Sequence, residues 1–537
     1  MKHSLHSVFV ILSMCTLLSY GTSVDAMYGN FYVKASATGT NEGSSWTDAF
    51  TDLQSALDVA ASGDQICVAA GTYFPTFRHN GDSLRHSTFY IAQDIILLGG
   101  FSGEPGTEGN MVDRDPQVHL TMLSGDIGVF GDNVDNAFHV VFFDLVSDTA
   151  LLDGFIIEKG NGFGGAGFEA IGAGIFNNAE GGRSHPTISN CVIRDNITSE
   201  SGGGFYIQAG SGGEASSLIT NCTFLRNRAS GGGGVGIYTD TDGNASPVLI
   251  NCAFMANKAP TASGGAIVII AHSAVASPRM INCIFSGNDS PSSSAVNAFV
   301  TGTAVTRPEF INCAFSGNTG AAARVVNLGT GSCALIARNS IFWNNAGGAG
   351  VSSTNADIDV TFSIIPFGFP GEGNIGLDPM FVSTPPLDSA HTLGDLHLLP
   401  GSPAFDAGRN ADVPAGITTD FDGNPRFVNA VNGQPGTVDI GPYEFQGNTT
   451  GVSDFLSDTD WRVFPNPATD HIVITISKKG ESGELQFLDA RGSIITTLHL
   501  QSGQDDYAVE VSQLPAGTYF VHLVVDGLQD VKKVIVE

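Results

Sequence analysis

Between Pro186 and Asn345, short apolar runs and polar positions alternate on a rhythm of about 30 residues. Cys191, Cys222, Cys252, Cys283 and Cys313 mark the rhythm, spaced 31, 30, 31 and 30 residues apart. One residue before each cysteine stands Asn190, Asn221, Asn251, Asn282 or Asn312. Two after it stands Ile193, Phe224, Phe254, Phe285 or Phe315, and five after it Asn196, Asn227, Asn257, Asn288 or Asn318. A sixth copy has Ser340 in the cysteine place, between Asn339 and Phe342 and followed by Asn345. A fixed internal period is the first thing to read in a chain, because it sets the architecture.

The parity of these positions predicts local structure. The cysteine and the residue two after it share one face of a strand, because strand side chains alternate. The apolar residue three before the cysteine (Ile188, Ile219, Leu249, Met280 or Phe310) has the opposite parity. Both sets face inward only if the chain bends between them. The preceding Asn sits at that bend, and Asn tolerates left-handed backbone better than other non-glycine residues. A third strand follows a Gly-rich turn, at Gly204–Ile207, Gly234–Ile237 and Gly265–Val268. Three short strands per repeat predict one coil of a parallel β-helix, with coils about 4.8 Å apart. The regular coils are expected from about Phe89 to about Ile365. An amphipathic helix over Trp46–Ala61, with Leu53, Ala56, Leu57, Val59 and Ala60 on one face, is expected to cap the open N-terminal end.

Beyond residue 446 the pattern changes. Residues 447–460 are polar and read as a linker. Alternating strands then follow at His471–Ile476, Glu484–Leu488, Ser493–Leu498, Tyr507–Val511, Thr518–Leu523 and Lys532–Val536, which predicts a small β-sandwich over 461–537.

Composition narrows the class. The chain of 537 residues carries 53 Asp and Glu against 23 Lys and Arg, a net charge of −30, and 68 glycines. So acidic a chain has no footprint for nucleic acid, and anionic membrane surfaces repel it. Its 42% hydrophobic content is not that of a disordered chain. The one long apolar stretch, Val8–Tyr20, is too short to span a bilayer comfortably. With Lys2 before it and Val24-Asp25-Ala26 after it, residues 1–26 read as a secretory signal cleaved after Ala26. This implies the Sec translocon as a partner and no transmembrane span. A strongly anionic polymer is a poor ligand for so acidic a protein unless Ca²⁺ bridges the two.

Four resemblances follow from quoted residues. The Gly264-Gly265-Ala266-Ile267 and Phe224–Asn227, Phe254–Asn257, Phe285–Asn288 and Phe315–Asn318 segments resemble the polymorphic outer-membrane-protein repeat, a surface β-helix family. The stretch with Trp46, Leu53, Gln54, Ala56, Gly63-Asp64, Val68 and Gly71-Thr72-Tyr73 resembles the start of pectin-lyase-like β-helices. Gly401-Ser402-Pro403-Ala404, Asp406-Ala407-Gly408, Asp420–Arg426 and Asp439–Glu444 resemble the segment that closes secreted β-helix proteins of the choice-of-anchor group. That implies a C-terminal closing segment over about 372–446. Phe464-Pro465-Asn466-Pro467, Gly517-Thr518-Tyr519 and Lys533–Val536 resemble the type IX secretion C-terminal sorting domain. This last resemblance implies handling by the type IX machinery and a secreted or cell-surface location outside the outer membrane of a Gram-negative bacterium. The fold class is therefore all-β, a right-handed parallel β-helix over 27–446 followed by a small β-sandwich.

Chemistry is sparser. The cysteine column reads as buried thiols acting as small hydrophobes; disulfides or a metal site are the alternatives. The Asn columns read as hydrogen-bonded stacks that satisfy turn backbone, with sugar binding as the alternative. Asp126, Asp132, Asp135, Asp148, Asp153 and Glu158, near Lys159 and Arg194, are candidate acids and bases. β-Helix lyases, which the fold resembles, pair Asp-bound Ca²⁺ with a Lys or Arg base, and glycosidases use two carboxylates. Asp126, Asp153 and Lys159 are the catalytic candidates, with Ca²⁺ the one cofactor considered and no metal site expected. Asp420-Phe421-Asp422-Gly423-Asn424 has a Ca²⁺-loop flavour but the wrong spacing, and reads as a turn. No H-E-x-x-H, G-x-S-x-G or G-K-[ST] motif is present. The preferred expectation is a glycan- or surface-binding protein without catalysis. A polysaccharide lyase or glycoside hydrolase, or a structural stalk, are its rivals.

Overall fold

The computed structural model describes residues 30–261, 263–290, 294–348, 350–385, 394–429, 436–446, 461–476, 483–489, 494–500, 506–525 and 528–537. The signal segment, Ala26 and the linker lie outside them. The described residues form two compact units, one reaching to Phe445 and the other comprising the C-terminal strands.

The first unit is a parallel solenoid with three sheets. The first sheet has eleven strands, from Asn30–Val33 to Asp357–Thr361. The second and third have nine each, from Gly71–Tyr73 to Ile341–Phe342 and from Phe89–Ile91 to Val351–Thr354. Register follows the repeat: Ile188 pairs with Ile219, Phe224 with Phe254, and Ile207 with Ile237.

The first bend of each coil is set by Asn. Asn190, Asn221, Asn251, Asn282, Asn312 and Asn339 have φ between +49° and +54°. Through this left-handed bend Ile188 and Cys191 both become buried despite their opposite parity. Glycine supplies the turn into the third sheet. At Gly202, with φ +68°, an added Cβ would stand 2.6 Å from the Phe205 carbonyl oxygen, so no other residue fits without a shift.

Stacking fills the interior. The rings of Phe224, Phe254, Phe285, Phe315 and Phe342 lie nearly parallel at centroid spacings of 4.3–5.0 Å. All seven described cysteines are free thiols and buried. In the column Cys222 Sγ donates to Ile188 O at 3.6 Å and Cys252 Sγ to Ile219 O at 3.5 Å. Burial raises the Cys222, Cys252 and Cys283 thiols well above their ordinary range.

Two Asn ladders run in opposite directions. At the bend, Asn221 Nδ2 donates to Asn190 Oδ1 at 3.2 Å, Asn251 to Asn221 at 3.2 Å and Asn282 to Asn251 at 3.1 Å. Inside, Asn196 donates to Asn227 at 3.1 Å, Asn227 to Asn257 at 3.1 Å and Asn257 to Asn288 at 3.0 Å. Each inner Asn also donates to a backbone carbonyl of the preceding coil, as Asn257 does to Phe224 O at 2.8 Å.

Three features differ from expectation. The coils begin at Asn30, well before Phe89, because the early coils lack the Asn-Cys-x-Phe landmark and carry long insertions. The helix is only Leu53–Val59; Trp46 lies outside it, packed on Tyr32 and Phe101, and Val59 is exposed. It nevertheless packs on the first strand and on the edge strand Phe89–Ile91. Finally, after Ile365 only residues 372–375 add a further rung, where Ile375 bridges Ile364 in parallel, and beyond it the chain leaves the stack. Phe369 packs against the core, but Phe381, Leu396, Ala404 and Ile440 form a separate cluster on the outer side chains Ile284, Ala314, Ile341 and Ile364. The segment lies back along the side of the last coils. It accepts hydrogen bonds from the Asn bend: Asn282 to Thr419 O at 3.0 Å, Asn312 to Asp439 O at 3.2 Å and Asn339 to Arg409 O at 3.1 Å. Buried Asp420 accepts from the amides of Asp422, Asn424 and Glu444, as a turn requires.

The second unit has a three-stranded and a four-stranded antiparallel sheet, from Trp461–Phe464 to Leu528–Val536, around Trp461, Ile474, Phe487 and Leu523. The Phe464–Pro465 and Asn466–Pro467 peptides are cis. Asn466 donates to Lys533 O at 2.8 Å and accepts from Ile535 N at 2.9 Å, which fastens this motif to the C-terminal strand. Tyr519, two residues after Gly517, donates to Pro515 O at 2.8 Å and stacks on Phe487.

Candidate functional site

The 30-residue rhythm fails in the early coils. Equivalent positions Leu97 and Leu152 lie 55 residues apart, and Leu152 and Ile188 lie 36 apart. Within these coils three long loops, 74–88, 125–140 and 159–174, connect the second sheet to the third and stack side by side. Loops on a rigid scaffold are where function concentrates.

These loops wall a cavity of about 410 Å³ over the first strands of the third sheet. Phe142 and Phe176 form its floor, in the middle of an outward aromatic column in which Tyr90, Phe142, Phe176 and Tyr206 occupy one register position on successive strands. Phe142 and Phe176 meet edge to face at 4.8 Å. His79 stacks on Tyr90 at 4.4 Å, and His139 lies between Phe142 and Phe176 at 5.7 and 5.3 Å. Phe168 lines the cavity and is exposed, and Phe163 and Phe130 are exposed elsewhere on the same loops.

Arg85 holds the walls together. It donates to Asn136 O at 2.9 Å, to Asn161 O and to Phe163 O at 2.9 Å, and its guanidinium lies 4.0 Å over the Phe138 ring. Beside it, His86 Nε2 meets Glu169 Oε1 at 3.0 Å. Asp144 closes the far side, accepting from Tyr90 Oη at 2.7 Å and Asn178 Nδ2 at 3.1 Å.

The electrostatics follow from these contacts. Burial pulls His139 down to about 4 and also lowers His79, so both rings are neutral at pH 7. Burial acts to raise Glu169, but the His86 hydrogen bond, the Ala166 amide and Arg85 together bring it below the ordinary carboxylate value. Burial and the bond to Asp144 push Tyr90 up to about 12, so it stays a donor. Among the described residues, no group of three or more His, Cys, Asp or Glu is disposed to hold a metal ion.

The residues singled out from sequence lie elsewhere. Asp126 accepts from Gly131 N at 2.9 Å and caps its own loop. Asp153 is buried, pairs with Arg114 and accepts from Asn190 Nδ2 at 2.7 Å, so it terminates the outer Asn ladder. Lys159 has φ +66° at the same corner as Asp195 and Arg226. Arg226 pairs with Asp195 at 2.8 Å, and among the described residues no hydrogen bond or ion pair joins Lys159 to Asp126 or Asp153. Glu158 pairs with Arg194 at 2.8 Å on the second sheet. His79, His86, Asp144 and Glu169 were not anticipated; the lengthened coils were the signal that could have found them.

Comparisons agree with the architecture. Residues 147–306 match the family described as right handed beta helix region, and residues 462–537 match the secretion system C-terminal sorting domain. The protein is thus a right-handed parallel β-helix protein with a type IX sorting domain, exported to the cell surface or beyond. Among solved structures, pectate lyase Pel9A is similar at 12% identity and TM-score 0.41, over 78% of this chain and 97% of its own. Tailspike protein 2 of Escherichia coli O157:H7 bacteriophage CAB120 is similar at 12% identity and TM-score 0.24, over 96% of this chain and 63% of its own. Comparison with curated proteins finds no match. Among the described residues, no helix is long and apolar enough to cross a membrane.

Proposed function

We propose that this is a glycan-binding protein displayed or released outside the outer membrane of a Gram-negative bacterium, after Sec export and type IX sorting, and that the cavity over the third sheet is its binding site. One observation carries the reading: aromatic faces and polar acceptors converge in a concave site built from the only three lengthened loops between the second and third sheets among the described residues. Aromatic rings offer apolar surface to the C–H face of a pyranose. The Asp144 and Glu169 carboxylates and the Asn178 amide offer acceptors to its hydroxyls. The cavity volume is that of ordinary small-ligand sites. Screening the protein on a glycan array, beside Phe168→Ala and Asp144→Ala variants, tests this. Wild-type binding that both variants weaken supports it. Silence of the wild type points to a structural stalk.

A second reading is favoured by the presence of two carboxylates, Asp144 and Glu169, in one cavity. A glycoside hydrolase needs such a pair as acid and base. Release of reducing ends from a bound polysaccharide, lost in Glu169→Gln, would establish catalysis. Unsaturated ends would instead indicate a lyase.

A further inference from the structure

A second cavity, of about 230 Å³, lies beside the first, between the helix Leu53–Val59 and the edge strand of the third sheet. Phe77 and Tyr90, stacked at 5.5 Å, line it, and Tyr90 is also the ring on which His79 of the first cavity stacks. Its polar groups are Gln54, Asp58 and Gln93. Gln54 is only 7% exposed and donates to Asp58 at 2.8 Å, yet its Oε1 has no hydrogen-bond partner. A buried acceptor left empty is costly. Gln54 and Asp58 both line the cavity and offer polar groups to a hydroxyl-bearing ligand there.

Charge distinguishes which ligand suits both cavities. The acidic side chains lining them are Asp144, Glu169 and Asp58, and no Lys or Arg is among the described residues that line either. Arg85, which joins the walls, is committed to three backbone carbonyls and the Phe138 ring, and Arg78 donates to Asp82 O at 2.9 Å. The whole chain carries −30. A uronic acid or sulfated sugar would therefore meet like charge with no cation to receive it, and such juxtapositions are costly. An uncharged sugar meets ring faces and acceptors only.

We propose that the two cavities are consecutive subsites for one uncharged oligosaccharide, which crosses the Phe77–Tyr90 stack, and that uronic acids are excluded. This rests on the glycan-binding reading and goes beyond it by naming the ligand class and the second subsite. Calorimetric titration of the full chain tests it. The probes are neutral cello-, manno-, xylo- and arabino-hexasaccharides with their trisaccharides, and oligogalacturonate and oligomannuronate of matched length. At least one neutral hexasaccharide binds, and every uronate binds at least about tenfold more weakly, a difference of about 1.4 kcal/mol. Gln54→Ala weakens the hexasaccharide and leaves the trisaccharide unchanged. Asp58 is exposed, so Asp58→Ala provides the same comparison if the Gln54 variant does not fold. Uronates binding as well as or better than neutral sugars would overturn the proposal while leaving glycan binding intact. Equal loss for hexa- and trisaccharide would remove the second subsite. Binding of neither set would sink the glycan-binding reading together with the proposal.

Discussion

Asn190 donates its side-chain amide to Asp153 at 2.7 Å, and Asp153 is in turn paired with Arg114. A ladder of like amides, each donating toward the N-terminus, thus ends on a buried carboxylate. Asp153→Ala leaves Arg114 without its carboxylate, with only backbone carbonyls as acceptors, and leaves Asn190 with Ser189 Oγ alone. Removing one member of a buried pair costs about 3–5 kcal/mol. Asp153→Asn keeps an acceptor for Asn190 and loses less. Urea unfolding of the two variants checks the order. A stability for Asp153→Ala equal to wild type would contradict the role.

The inner ladder is predicted to be less forgiving at its centre. Asn257 Oδ1 accepts from both the backbone amide and Nδ2 of Asn227. Asn257→Ala leaves the buried Asn227 amide without an acceptor, at about 1–3 kcal/mol, and leaves Asn227 Nδ2 with Ile193 O alone. Thermal melting measures this, and Ser246→Ala serves as a control, since Ser246 is only partly buried.

These ladders were legible in the sequence for a physical reason. A stacked coil repeats each side chain over its own copy, so a bend that needs left-handed backbone recurs as an Asn column. The cavity was not legible, because its residues come from insertions that break the period. His86 and Glu169 lie 83 residues apart and share no motif. The side-lying C-terminal segment was also hidden. Its place is set by partners far away in sequence, such as Asn282 to Thr419, and its Gly, Pro and Asp turns carry no period that would show this. The Asp153 carboxylate illustrates a further limit: a buried acid reads alike from sequence whether it ends a ladder or serves a reaction.

The thiol column is predicted to be inert. The five repeat cysteines are buried and donate to carbonyls, and burial raises the three central thiols above their ordinary range. Thiolates are the reactive species. Iodoacetamide at pH 8 should label none of the five in the folded protein and all of them in guanidinium, as read by mass spectrometry. Labelling of Cys252 in the folded state would contradict the packing.

The C-terminal segment should loosen as pH rises. Burial pushes Glu444 to about 8 and Asp439 to about 6, above their ordinary values of about 4.3 and 3.9. Burial would lower His397, but hydrogen bonds to Asp422 at 2.7 Å and Asp395 at 2.5 Å outweigh it and raise its pKa. A group whose folded pKa is raised contributes stability that is complete below its unfolded pKa and is lost as pH passes the folded value. For the two acids that loss falls at about 6 and 8; for His397 it falls above about 6.5. All three therefore act in one direction. Proteolytic cutting within 395–428, normalised to an unstructured peptide, should increase from pH 6 to pH 9 and increase less in Glu444→Gln. Equal cutting at both pH values would contradict this.

Glycan binding at the early coils is the central claim, and hydrogen exchange with and without a bound oligosaccharide tests it most directly. Protection should concentrate in residues 77–90, 138–144 and 166–178, the loops and strands around His79, His86, Asp144 and Glu169. Protection along the Asn bend from Asn190 to Asn251 instead, or no change under saturating ligand, would contradict it.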